Sequence, residues 1–562
     1  MSTSTFNPRK IATPESGAAA QQNLPYIQLV DELKQPVKNP KKGRSVVHWM
    51  RMCDLRLVDN RALSRASIEA KENNIPLVIL FVVSPQDYIA HDRSARRIDF
   101  TLRNLEVLKT SLNEMNIPLY AITHSPRTSL PERVISFVQS VDATCLFANM
   151  EYEVDELRRD IKVCQLAKTN NIKTTFFHDK CIAEPGLCMT KDGRAYTVYS
   201  PYQRLWSTIV NGNLDTYMRE APPIAANSAE VMKDPTLSPL FEQPIPEFVG
   251  GFKLETNNKD VMTRVWPAGH DAAKEVVLSR FLRTKARASQ LGEVDPLLEG
   301  AEESDRKSRL KEYGNARDRV DKDTTSRLSA YLAAGVISPR ECVRATMELQ
   351  KAGKVDTSRE NGIGRWVQEI AWRDFYVSVL AYYPRVSMGR PFQEKMANVV
   401  WENNEEHLKA WQEGKTGVPI VDAAMRQLNS MGWMHNRMRM TVAMFLSKDL
   451  MLDWRLGERY FMQNLIDGDL ASNNGGWQWS ASTGVDPAPY FRLFNPYNQS
   501  TKGDPNGEYI RHFVPELKNV WGPDIHNPPA KLAEKLGYPL PIVKHHEVRE
   551  RALRRYKNPG KE

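Results

Sequence analysis

From Ser45 onward, short apolar runs alternate with longer amphipathic ones. VVHWM (46–50), PLVILFVV (76–83), IPLYAI (117–122), CLFAN (145–149) and KTTFF (173–177) have strand length and apolar, largely β-forming composition. Between them, RRIDFTLRNLEVLKTSLNEM (96–115) and EVDELRRDIKVCQLAK (153–168) repeat apolar residues at helical spacing. Strands alternating with helices predict a doubly wound parallel sheet, a Rossmann-like α/β domain, over 45–180. The first turn, MRMCDLRL, lacks GxGxxG, so the sheet does not read as an ordinary NAD site.

Periodicity then fades. APP, DPTLSP and EQPIPE punctuate residues 211–259, and a long interdomain linker is predicted over 181–260. Beyond it the strand runs vanish. EVVLSRFLRTKARASQL, TSRLSAYLAAGV, RWVQEIAWRDFYVSVLAYY and VDAAMRQLNSMGWMHNRMRMTVAMFLSKDLM read as helices with wide apolar faces. An all-α domain is predicted over 261–556, holding ten of the twelve tryptophans, with a short tail at 557–562. Residues 1–44, rich in Ser, Thr, Ala, Gln and Pro, read as a disordered extension. One stretch fits neither helix nor strand: IDGDLASNNGGWQWSASTG (466–484) sets Trp477 and Trp479 beside Gly475 and Gly476, bulky indoles on what reads as a supple turn.

Composition narrows the picture modestly. Hydrophobic content of 41% and charged content of 26% are those of a soluble globular chain, and 562 residues imply more than one core. The longest apolar run, Leu77–Val83, is far short of a membrane span. A net charge of +9 suits a polyanionic partner, although a solvated surface gives the same sum. Six scattered cysteines without a CxxC pair suggest buried free thiols in a reducing compartment. The Arg9-Lys10 pair is compatible with a mitochondrial presequence and KNPKKGR (38–44) with a nuclear address, so the expected location is nuclear, with mitochondria as a second compartment.

The candidate chemistry lies in the helical half. There is no metal signature, since His435 lacks a partner one turn on and no HExxH occurs. Neither GxSxG nor a P-loop is present. DTTSRLS (323–329) reads as a helix start whose hydroxyls and free N–H groups could seat a phosphate; ordinary capping gives the same cluster. WVQEIAWRDFY groups Trp366, Glu369, Trp372 and Arg373 on one helix face, either as a structural ion pair or as a pocket for a flat ligand. GWMHNRMR adds Asn436, Arg437 and Arg439 beside Trp433. No nucleophile–base pair stands out, so a bound cofactor is expected to carry the chemistry.

Taken together, WMRMCDLRLVDN, YGNARD, TTSRLSAYLAAGV, EIAWRDFY, WQEGKTGVPIVDAAMRQLNSMGWMHNR and IDGDLASNNGGWQWSASTG resemble the photolyase/cryptochrome family, and within it the class I cyclobutane pyrimidine dimer photolyases. The resemblance implies an α/β antenna domain, a linker and a helical FAD domain. It places Tyr313, Thr325, Ser326, Arg327, Leu328 and Ser329 at FAD ribose and phosphates, with Trp366 and Arg373 lining the cavity. Asp467, Gly468 and Asp469 fall around the flavin ring, Asp467 pairing Arg439, and Asn473 faces flavin N5. An amide there can donate or accept, and so tolerates neutral and anionic reduced flavin.

The implied reaction is light-driven: excited, reduced, anionic FAD gives one electron to a flipped-out dimer, the cyclobutane ring splits, and the electron returns. Trp372 and Trp479 would wall the dimer, Glu369 would bond its base edge, and Asn436 and Met440 would complete the pocket. The (6-4) photolyases carry histidines at those last two positions, so cyclobutane dimers are the expected substrate. Arg317, Arg437, Arg492 and Gln499 would grip UV-damaged DNA. Trp401, Trp454 and Trp477 match an electron-hopping chain from surface to flavin. His91, Asp155 and Glu156 match contacts to a methenyltetrahydrofolate antenna; Asp155 replaces a familiar Asn and Ser387-Met388 a Cys-Lys pair, leaving a deazaflavin or no antenna as alternatives. A monomer is expected. The competing function is a cryptochrome-type blue-light photoreceptor, alone or alongside repair. Asn473, where plant-type cryptochromes tend to carry Asp, speaks against it, as does the shortness of the chain after VKHHEVRERALRRY.

Overall fold

A computed structural model describes residues 11–292 and 301–561. Strands β1 (Ser45–Met50), β2 (Leu77–Val83), β3 (Leu119–Thr123), β4 (Ala143–Asn149) and β5 (Lys173–Phe177) form one parallel sheet in the order β3-β2-β1-β4-β5. Every β1 residue is buried, as expected of a central strand covered by helices on both faces. Strand order reverses between β1 and β4, which puts the switch-point crevice at their C-terminal ends.

The N-terminal segment is a correction to the expected disordered extension. Pro14–Gln22 and Pro25–Lys34 are helices, the first capped by the Thr13 hydroxyl, which accepts from Ser16 N. Tyr26, Leu29, Val30 and Leu33 recur at helical spacing, and the first two are buried against the body. That short amphipathic stripe in PYIQLVDELK was the available signal. The Arg9-Lys10 pair lies outside the described residues.

The predicted linker also does more than connect. Within 181–260, helix Tyr199–Gly212 packs on helix Gly362–Tyr382, and the buried Trp206 donates its indole N–H to Asp374 Oδ2 at 2.9 Å. The same oxygen accepts from Ile182 N and Ala183 N at 3.0 Å each. Burial raises the Asp374 pKa to about 6 against these bonds.

The second correction concerns 466–484. Leu470–Ser480 is an α-helix, N-capped by Asp469, whose carboxylate accepts from Ser472 N at 3.1 Å. Its low intrinsic propensity is overridden by packing on Gly362–Tyr382 and Trp454–Asn464. Gly475 is what permits the first contact, since a Cβ there would overlap the Tyr376 ring; at Gly476 a Cβ would meet no protein atom. Only one of the two glycines is therefore required by the protein's own packing.

The two halves meet in a polar joint where the α/β domain, mostly through side chains, donates to backbone carbonyls of the helical one. Leu55 N bonds Ala334 O at 3.1 Å, Arg56 bonds Gly335 O at 3.0 Å, and Arg97 bonds Ala333 O at 2.7 Å and Ile466 O at 3.3 Å. Ser94 bonds Leu465 O at 2.7 Å and Arg93 bonds Gly468 O at 3.3 Å. Arg340 returns the contact, reaching Asp59 at 3.1 Å and Asp179 at 2.7 Å. Gly335, at φ +64°, lies directly against the Cys53 carbonyl.

Candidate functional site

The expected ring-side residues are held by charge pairs. Asp469 lies 2.5 Å from the Lys180 ammonium, and Arg373 donates to the Lys180 carbonyl and to Leu332 O. Burial opposes ionisation of Asp469, but Lys180 and Arg373 outweigh it and hold the carboxyl well below the usual range. Arg439 lies 2.7 Å from Asp467 Oδ2. Asn473 donates its Nδ2 to Glu458 O at 3.0 Å. One of its two N–H donors is committed there, and the other, with Oδ1, leaves the amide able to donate or accept.

The 323–329 run divides. Helix Ser329–Ala334 begins later than read, with Leu328 at the cap and no side-chain cap bond. Arg327, expected at a phosphate, turns inward at φ +53°: it pairs with Asp323 at 3.0 Å and bonds Leu291 O at 2.6 Å. Leu328 is buried, the Ser329 hydroxyl accepts from Trp433 Nε1 at 3.2 Å, and the Ser326 hydroxyl faces Leu328 N. Tyr313 and Trp366 both pack on Phe281, their ring centroids 5.9 and 5.2 Å away. Thr325 Oγ1 and Asp467 Oδ1 are buried without a protein partner. Orphaned polar atoms on these two segments fit a polar ligand, as FAD is.

At the expected lesion pocket, Glu369 pairs with Arg317 at 2.8 Å; burial raises its pKa and Arg317 pulls it back. Arg317 meets the pocket carboxylate through one guanidinium nitrogen and stays part-exposed, and Arg437 is paired with Asp318 at 2.7 Å. Arg492 is exposed and, among the described residues, without an ion-pair partner; Gln499 is half-buried and Asn436 exposed. Trp372 stacks on Tyr199 at 3.5 Å between centroids and lies 5.5 Å from Tyr376. Trp479 and Met440 are half-buried. His435, beside Asn436, is buried and its pKa falls to about 4, so it stays neutral and supplies no proton there.

The tryptophans grade from half-buried Trp401 to buried Trp454 and Trp477. Gly457, one turn after Trp454, lies against the Trp477 ring, which a Cβ would displace. Trp401 sets its ring edge-on to Tyr556 at 6.0 Å.

The antenna residues separate. His91 bridges Glu153 and Glu156, each at 3.1 Å, whereas Asp155 faces outward and pairs with Arg127 at 3.0 Å. One residue along a helical first turn rotates by about 100°, so Asp155 and Glu156 cannot both face His91. Among the described residues this His–Glu–Glu cluster alone has metal-ligand proximity, and His91 Nε2, Glu153 Oε2 and Glu156 Oε2 are buried without a hydrogen-bond partner. Burial opposes the imidazolium, yet Glu156 and Glu153 outweigh it and raise the His91 pKa to about 9. Its folded pKa exceeds the unfolded value, so its stabilisation is whole below pH ~6.5 and is lost as pH rises through about 9. Thermal midpoints of the parent should fall across that window by the equivalent of ~1–3 kcal/mol, and His91→Gln should flatten the decline. Parallel curves for the two proteins would refute the assignment.

The crevice beside it, at the switch point, is filled. Arg51 lies 3.5 Å over the Trp49 ring and bonds Asp160, while Arg159 bonds Glu151 at 2.7 Å, leaving about 60 Å³. Sequence reasoning does not reach Lys180, Tyr199, Tyr376 and Glu153, although Lys180, just past β5, and Glu153, just past β4, sit where a sheet of this kind places function.

Comparison with known proteins gives a consistent result. A family profile described as the FAD binding domain of DNA photolyase matches residues 366–558, and one described as DNA photolyase matches 46–224. The chain is 43% identical to a deoxyribodipyrimidine photo-lyase of Neurospora crassa, over 92% of this chain and 82% of that one. It is 38% identical to the Escherichia coli deoxyribodipyrimidine photo-lyase, over 90% and 97% respectively. Among solved structures, a class III photolyase from Agrobacterium tumefaciens superposes with a TM-score of 0.71 at 29% identity, covering 93% of this chain and 99% of that one.

Proposed function

The chain belongs to the DNA photolyase family and is an FAD-dependent deoxyribodipyrimidine photo-lyase, and from that premise we propose how its own residues divide the work on a cyclobutane pyrimidine dimer. The observation that carries the reading is the Asn473 amide, anchored through one N–H on Glu458 O, which leaves its second N–H and its Oδ1 to donate or accept. Such an amide would suit a reduced flavin in either protonation state, and the paired Arg439 and Asp467 would hold the ring with it. FAD, when bound and reduced, supplies the electron under blue light.

Lys180 and Arg373 neutralise Asp469, so the flavin side of the site is not dominated by uncompensated carboxylate. Trp372, braced by Tyr199, forms one wall for the dimer, with Trp479 as the other. Glu369, held by Arg317, presents a carboxyl to the base edge, burial raising its pKa and Arg317 opposing. Neutral His435 leaves the pocket without the proton source that a (6-4) lesion requires. Trp401, Trp454 and Trp477 return electrons to oxidised flavin between uses.

For the antenna, folate held at His91 and Glu156 is the reading, with a deazaflavin or an empty site as the alternatives. The exposed basic residues of KNPKKGR serve as a nuclear address in this reading, with mitochondrial DNA as a second substrate pool. Among the described residues no helix is long and apolar enough to cross a membrane.

The test incubates reduced protein with a dimer-containing oligonucleotide in darkness and under blue light. Dimers should disappear only in the light. Their persistence despite bound flavin would favour the photoreceptor alternative.

A further inference from the structure

Lys448 is wholly buried in the wide helical turn Phe445–Asp449, and no carboxylate lies within ion-pairing distance of its ammonium among the described residues. It donates instead to two neutral acceptors, the Ser482 hydroxyl and the Arg492 carbonyl, each at 2.9 Å. These are the two ends of one loop. Ser482, at φ +58°, follows helix Leu470–Ser480, and Arg492 closes the loop with its side chain in solvent. Between them Ala488 N bonds Trp479 O at 3.1 Å, tying the same loop to the indole expected at the lesion.

The neighbouring charges are otherwise engaged. Asp449 lies 2.5 Å from His545 Nδ1, and Arg551 donates to the Asp449 carbonyl. Both partners come from helix His545–Lys557, whose Tyr556 ring lies 5.6 Å from the Lys448 ammonium. Burial lowers the Lys448 pKa to about 7, with Asp449 opposing and Arg492 assisting. An apolar side chain of the same length would fill this space without the desolvation cost. What lysine adds is directional donors.

We propose that Lys448 is a positioning residue, clamping both ends of loop 482–492 so that Arg492 is presented to the DNA backbone. This rests on the reading of Arg492 as a DNA contact. Holding the loop closed beforehand removes ordering entropy from the binding step.

The test uses FAD-loaded Lys448→Met, Arg492→Ala and the double variant, with dark affinity for a dimer-containing oligonucleotide and hydrogen exchange as readouts. Lys448→Met should keep its flavin absorbance, weaken binding ~10-fold, the loss of about one charge-assisted contact, and speed exchange across 482–492 alone. The double variant should bind no worse than Arg492→Ala. Unchanged exchange across the loop, or losses that multiply, would overturn the clamp. If Arg492→Ala leaves affinity untouched, the DNA role of that residue falls, while loop exchange still decides the clamp. Should Lys448→Met not fold, Ser482→Ala removes one acceptor from the other side and should loosen the same amides.

Discussion

Lys180→Met is expected to lose most of its FAD and to unfold at markedly lower temperature. Lys180 is the near partner of Asp469, a largely buried carboxylate whose charge is sustained by Lys180 and Arg373. Methionine keeps the stem and the backbone carbonyl that accepts from Arg373, so the change removes the ammonium alone. Breaking a buried pair from one side strands the other charge, at a cost of ~3–5 kcal/mol. Asp469 also caps helix Leu470–Ser480, so its displacement reaches Asn473, one turn further on. The measurement is flavin absorbance per protein after gel filtration, paired with a thermal melt. Lys180→Met/Asp469→Asn should recover much of the melt, because the stranded charge is gone. A single variant that retains parent-level flavin would refute the role.

Gly335→Ala should be nearly as damaging, for a different reason. The residue combines a left-handed φ of +64° with a side that lies against the Cys53 carbonyl. A methyl group must therefore both strain the backbone, at ~1 kcal/mol or more, and push the domains apart. The bonds from Leu55 and Arg56 to Ala334 O and Gly335 O would open together. Limited proteolysis should release separate α/β and helical fragments from the variant and not from the parent. Equal resistance in the two proteins would show that the joint yields without opening.

The sheet was legible because each strand is a short apolar run bounded by amphipathic helix, and the helical half because its apolar stripes are wide. What escaped the sequence were elements whose stability comes from elsewhere in the chain. Leu470–Ser480 reads as a turn, since two glycines and two asparagines defeat propensity; Tyr376 and the Asp469 cap make it a helix. Tyr199 sits in a stretch that looks like linker, and only the fold brings it onto Trp372. The same holds for charge partners. Sequence placed Arg317, Arg327 and Arg437 as available cations, but each is committed to a carboxylate supplied by another turn or helix. Asp155 and Glu156 look equivalent in the sequence and diverge once helix phase is fixed.

The joint between the domains has a consequence for mutational tolerance. On the helical side the acceptors are backbone carbonyls of Ala330, Ala333, Ala334, Gly335, Leu465, Ile466 and Gly468, which most substitutions leave in place. On the α/β side most donors are side chains, three of them arginines, and none survives replacement by alanine. At Arg56, Arg93 and Arg97 a substitution removes the bond itself, whereas at Ala330, Ala333 and Leu465 the bond survives and the cost is one of packing in the core. On the helical side Gly335 and Arg340 are the exceptions, the first held by its backbone and the second by its ion pairs.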